Sequence, residues 1–109
     1  MIRIRIERND HGDVKRVLVT GHANFAEHGS DIVCAAVSGI VFGQVNAIET
    51  LTGVRVHQPD DGDGKVDLRI PEGLAPEVER KIILLVEAMV ISLRDIADSY
   101  PRYVRWINK

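Results

Sequence analysis

From Ile32 to Ile48 the chain runs 17 residues without a charge, the longest such stretch in its 109 residues. A run this apolar has to be buried. It is short for a membrane span and carries Ser38, Gln44 and Asn46 together with Gly39 and Gly43, so it reads as a core helix. Ser30-Asp31 supplies N-cap chemistry in front and Gly53 a C-terminal stop behind, bracketing a helix of roughly twenty residues. Ala35, Ala36, Gly39 and Gly43 let neighbouring backbone approach closely, which places this helix at the centre of the domain.

The remaining elements are arranged around it. Ile2, Ile4 and Ile6 alternate with Arg3, Arg5 and Glu7, the period-two signature of a strand with one buried and one wet face. After the turn residues Asn9 to Asp13, the β-branched run Val14 to Thr20 completes a hairpin that ends at Gly21-His22. Residues 23–30 have no periodicity and read as a loop. Val54 to His57 is expected as a short strand, and Val66, Leu68 and Ile70 define another beyond the turn Asp60 to Gly64. A second helix runs from about Pro76 to Ser99, with Val78, Ile82, Leu85, Met89, Leu93 and Ile96 at helical spacing; Leu84 and Ile91 form a second apolar stripe that hints at a partner surface. Tyr103 to Ile107 is a last edge strand. The order β-β-α-β-β-α-β describes a single α+β domain of mostly antiparallel sheet with two packed helices.

Composition restricts the function. With 45% hydrophobic and 28% charged residues the chain is a folded domain. A net charge of −2 gives no overall positive field for nucleic acid or anionic lipid, though it leaves room for local basic patches. The charged, alternating N-terminus is unlike a secretory signal, so a cytoplasmic location with no membrane association is expected. One cysteine in the chain means no internal disulfide.

That cysteine, Cys34, falls in the first turn of the central helix, where unpaired N–H groups and the positive end of the helix dipole favour thiolate over thiol. The bland alternative is a small buried hydrophobe among Val33, Ala35 and Ala36. His22 ends the second strand just before the loop leading to Cys34, so it can serve as the base of a thiol nucleophile or simply face solvent. The N–H of Cys34 and its neighbours are candidates for an oxyanion hole. Asp31 orients His22 or only caps the helix; Ser38, one turn after Cys34, contacts the thiol or substrate, or bonds back to its own helix. His22, His28 and Cys34 are six apart, but without a second cysteine or a close-spaced pair no metal site is expected, and no cofactor either. The Asp61-Gly62-Asp63 run reads as a turn and not a calcium loop, since Lys65 and Val66 stand at loop positions that need a ligand and a glycine.

Gly21-His22-Ala23, a loop, and then Gly29-Ser30-Asp31-Ile32-Val33-Cys34-Ala35-Ala36-Val37-Ser38 resembles the signature of the ribosomal-processing cysteine protease family, Prp, over the whole length of the chain. The resemblance implies an endopeptidase that removes a short N-terminal extension from a large-subunit ribosomal protein precursor, the one numbered twenty-seven, after an aromatic-rich sequence. It implies a Cys34–His22 dyad, with Asp31 and Ser38 as supporting motif positions. It also implies a homodimer and a loop, containing Phe25 and Gly29, that covers the bound peptide. No direct nucleic-acid contact is required for such an activity. Asn24-Phe25 departs from the glycine and aromatic residue often found there, which bears on loop stiffness and leaves the dyad untouched. An aromatic-rich substrate needs an apolar groove, for which Phe25, Ile32 and Val33 are candidates. The competing reading is a non-enzymatic ribosome-associated assembly factor in which Cys34 is core packing and basic strand residues Arg3, Arg5, Lys15 and Arg16 make the contacts.

Overall fold

The computed structural model describes residues 1–21, 30–58 and 65–107, with side chains in the central helix described from Ile32 onward. Strand β1 (Ile2–Arg8) pairs antiparallel with β2 (Val14–Thr20). The turn between them is locked by Asn9, whose Oδ1 accepts from the N–H groups of His11 (2.9 Å) and Asp13 (3.0 Å). Helix α1 (Ser30–Thr52) follows, then β3 (Lys65–Arg69), antiparallel to β2; α2 (Pro76–Ser99); and β4 (Val104–Ile107), parallel to β1 at the sheet edge. The sheet order is β3-β2-β1-β4. The expected α+β fold with two packed helices is what forms, with one difference. Val54 to His57 is not a strand: it contributes one bridge, His57 to Leu68, flanked by hydrogen bonds from Arg69 N to Val56 O (2.8 Å) and from Gln58 N to Asp67 O (3.1 Å). The segment meets β3 at this one position and does not continue the ladder. The turn expected at Asp60 to Gly64 lies outside the described residues.

Both helices pack on one face of the sheet, and a single core fills the space between. Ile2, Ile4, Val17, Val19, Val66 and Leu68 project inward from the strands against Val33, Val37, Val41, Val45 and Ile48 of α1 and Ile82, Val86, Met89 and Leu93 of α2. By length and composition α1 is apolar enough to cross a membrane, with a mean hydropathy of 1.6. Its valine stripe at i, i+4, i+8, i+12 is nevertheless at most 4% exposed, packed in the core. At the C-terminal end of α1 Gly53 adopts φ +76° and donates to Glu49 O, as expected for a helix stop.

Val14 and Val17 are both buried although three apart, which strict alternation forbids. The register shift between Glu7 and Arg8 explains it: Glu7 is opposite Arg16 and Arg8 opposite Val14, so Lys15 is an extra residue that resets the phase of β2.

Among the described residues no helix covers the other face of the sheet, the open face, and an ionic ladder crosses one end of it. Glu7 on β1 pairs with Arg16 on β2 (3.0 Å), Arg16 grips Asp67 on β3 in a two-point fork (2.9 and 3.0 Å), and Arg69 closes on the same carboxylate (3.0 Å). The Asp67 side chain, 4% exposed, lies beneath the two guanidiniums. The Arg16 hydrogen bond, reinforced by Arg69, holds its carboxyl far below the usual carboxylate range against the opposing effect of burial. Arg16 in turn is held charged, chiefly by Asp67. A carboxyl whose folded-state value is depressed contributes stability that is complete above its unfolded value near ~4 and is lost as pH falls below that. Asp67→Asn is therefore expected to lower unfolding free energy by about 1–3 kcal/mol at neutral pH, with the gap from wild type narrowing below pH ~4 in urea titrations. An equal gap at neutral and strongly acidic pH would contradict the ladder's role.

Candidate active site

Cys34 lies on the fifth residue of α1, at the edge of its buried stripe. Val33 and Val37 on either side are buried, whereas Cys34 is partly exposed and packs against the rim of the core. The thiol is thus neither sunk in the core nor standing free on the surface. Cys34, Ser38 and Phe42, at i, i+4 and i+8, share one side of the helix by their spacing. Ser38 is exposed one turn beyond Cys34, which keeps it on the same side as the thiol. Asp31 is the second residue of α1, and its side chain lies outside the described part.

The first turn of α1, Ser30 to Val33, immediately precedes Cys34, so the N–H groups that a helix start leaves to partners outside the helix lie beside the thiol.

On the other side of the loop, β2 ends at Thr20 and Gly21 follows with φ +87°. A Cβ at Gly21 would run into the Met1 carbonyl oxygen as well as face an unfavourable backbone conformation. Glycine is thus demanded twice over at the residue before His22: β2 must turn away directly beside the start of β1. His22, Phe25 and Gly29, with His28, lie outside the described residues.

Of the apolar groove candidates, Val33 is 1% exposed and belongs to the core, so it cannot line a groove. The reason is its place on the valine stripe, in phase with Val37 and Val41. Ile32 is 65% exposed, but by helical spacing it faces nearly opposite to Cys34. Phe42, 45% exposed on the Cys34 side two turns along, is the apolar group that sequence reasoning missed. A phenylalanine flanked by Gly39 and Gly43 on an otherwise small-residue face was the available signal.

Among the described residues no group of three or more histidine, cysteine or acidic side chains is placed to hold a metal ion. A cleft of about 510 Å³ lies at the opposite end of the sheet from Gly21, beside the β1–β2 turn, lined by Lys15, Arg16, Arg69, Ile70, Glu72 and Glu79 among others. None of the expected site residues contributes to it.

A lone cysteine, partly exposed at the start of the central helix of a small α+β domain, is placed as the nucleophile of a thiol hydrolase would be. Residues 1–105 match the family described as cysteine protease Prp. The chain is 42% identical over 107 residues to the ribosomal processing cysteine protease Prp of Bacillus subtilis, covering 96% of this chain and 95% of that one. It is 38% identical over 106 residues to the protein of the same name from Staphylococcus aureus, covering 96% of each. The crystal structure of the S. aureus protease with a substrate peptide superposes with a TM-score of 0.82 at 35% identity, and that with a covalently linked product peptide with 0.81 at 37%; both cover all of each chain. The chain belongs to the Prp family of ribosomal processing cysteine proteases, and it is a cysteine protease.

Proposed function

We propose that this protease removes a short N-terminal extension from a large-subunit ribosomal protein precursor, the one numbered twenty-seven, through a Cys34–His22 dyad. The observation that carries the dyad is the position of Cys34: the chain's one cysteine, partly exposed at the start of α1, in a family of cysteine proteases. The substrate reading is supported by the names of the relatives and by a relative's structure with a substrate peptide.

The chemistry follows from the groups available. His22 takes the Cys34 proton as Sγ attacks the scissile carbonyl carbon, forming a C–S bond and moving the carbonyl π electrons onto oxygen. The N–H of Cys34 and its neighbours in the first turn of α1 stabilise that oxyanion. Collapse expels the leaving amine, which takes the proton from His22, and leaves the extension as a thioester on Cys34. Water, deprotonated by His22, adds to the thioester and releases the carboxylate product and the thiol. A relative's covalently linked product peptide supports the covalent step. Asp31 and Ser38 support the dyad from α1, Phe42 offers an apolar contact for an aromatic-rich peptide, and the loop with Phe25 and Gly29 covers it. The protein works in the cytoplasm, where its substrate is made.

Cys34→Ala is expected to abolish cleavage of a precursor peptide, and His22→Ala to reduce it by at least about 10³-fold, measured as product by mass spectrometry. Residual turnover near wild type in the Cys34 variant would overturn the assignment.

A homodimer completes the proposal. On the outward side of α2, Leu84 is 70% and Ile91 63% exposed, with Ala88 between them. Two such helices crossing antiparallel at Ala88 bring Lys81 of each opposite Asp95 of the other, so the apolar patch and its flanking charges are self-complementary. Leu84→Lys is expected to shift the molecule to a monomer in light scattering; a wild-type monomer, or a dimer indifferent to the change, would contradict this.

A further inference from the structure

The open face of the sheet carries a charge that the chain as a whole conceals. Register fixes which side chains share it. Arg105 of β4 stands beside Arg3 of β1, Arg3 opposite Thr20 of β2, and Thr20 opposite Lys65 of β3. In the next row Arg5 stands opposite Leu18. Arg3, Arg5, Lys65 and Arg105 are all exposed, and among the described residues no ion pair or side-chain hydrogen bond engages them. Among the described residues in register on this face, the other four charged groups, Glu7, Arg16, Asp67 and Arg69, neutralise one another in the ladder. The face therefore holds a formal charge of +4 on a chain of net −2, with the negative excess elsewhere.

We infer that this open sheet face is a docking surface for the phosphate backbone of double-helical nucleic acid, bound without regard to sequence. Neighbouring strands lie ~4.8 Å apart and alternate residues along β1 ~7 Å apart, so Arg105, Arg3, Lys65 and Arg5 form a lattice of cations, not a single pocket. Three of the four are arginines, whose forked donors suit phosphate oxygens. The single-stranded alternative requires aromatic platforms for stacking. Among the described residues the face has none: Trp106 is in register with inward-facing Ile4 and lies under Arg94 of α2. An acidic protein partner needs an apolar core to its interface, and here Leu18 and Ile107 are the only large apolar side chains between the charges among the described residues, both only half-buried. The contact is separate from the proteolytic chemistry and holds or fails independently of it.

Fluorescence anisotropy with a labelled RNA duplex about two helical turns long, titrated with the full chain at 50 and 200 mM KCl, tests the inference. Four neutralised phosphates give a slope of log K against log salt of about −3.6, or roughly 150-fold weaker binding at the higher salt. Arg3→Gln with Arg105→Gln is expected to halve that slope, while Arg94→Gln on the helical layer leaves it unchanged. A DNA duplex of equal length should bind comparably, because the backbone supplies the contact. No binding of wild type at 50 mM KCl would overturn the inference, whatever the behaviour of the variants. So would a slope indifferent to Arg3 and Arg105, or tighter binding to poly-glutamate than to either duplex, which would assign the face to an acidic protein. Circular dichroism and retained peptidase turnover in the double variant show that its fold is intact.

Discussion

The valine stripe of α1 sets the geometry on which the rest depends. Val33, Val37, Val41 and Val45 must all face the sheet and α2, and each buried β-branched side chain contributes about 1.5–3 kcal/mol. No rotation of the helix keeps that burial, so the azimuth of every other residue on α1 follows. Cys34 falls at the margin of the stripe, Ser38 and Phe42 outside it, and Ile32 on the far side. Cys34 needs no separate device to hold it at the border of core and solvent: the packing of the adjacent Val33 and of Val37 does so.

The same two-layer arrangement sorts the charges. With both helices on one face, alternation along each strand sends the isoleucines and valines inward and the charged residues to the open side. At one end those charges are matched into the Glu7–Arg16–Asp67–Arg69 ladder; at the other, next to Thr20 and Gly21, they are all positive. A single sheet thus has a self-neutralised end and a cationic end, and the strand that leads to His22 exits at the cationic one.

Local patterns were legible in the sequence, and long-range ones were not. The Ile2-Ile4-Ile6 alternation, the capping residues around 30–53 and the heptad-like spacing in 76–99 each depend on neighbours within a turn or two, and all formed within a residue or two of where they were expected. Val54 to His57 misled because the alternating Val54 and Val56 look like a strand whether or not a partner edge accepts them. The extra residue at Lys15 is set by how β1 registers on β2, and the burial of Asp67 and the gathering of Arg3, Lys65 and Arg105 depend on pairing with strands distant in sequence, which no local window reports. For the site, the motif located Cys34 and Ser38 correctly on one side of a helix, but placing Val33 in a groove ignored its phase with Val37, and Phe42 was hidden by its distance from the motif.

The claim on which the account stands is that the Cys34 sulfur becomes covalently joined to the peptide it cleaves. Acid-quenching the enzyme during turnover of a precursor peptide, followed by intact-mass measurement and digestion, reads this directly. The expected result is an enzyme species heavier by the N-terminal fragment minus water, with the added mass on the peptide containing Cys34. Steady turnover with no such adduct at any time point, or an adduct mapped to another residue, would contradict it.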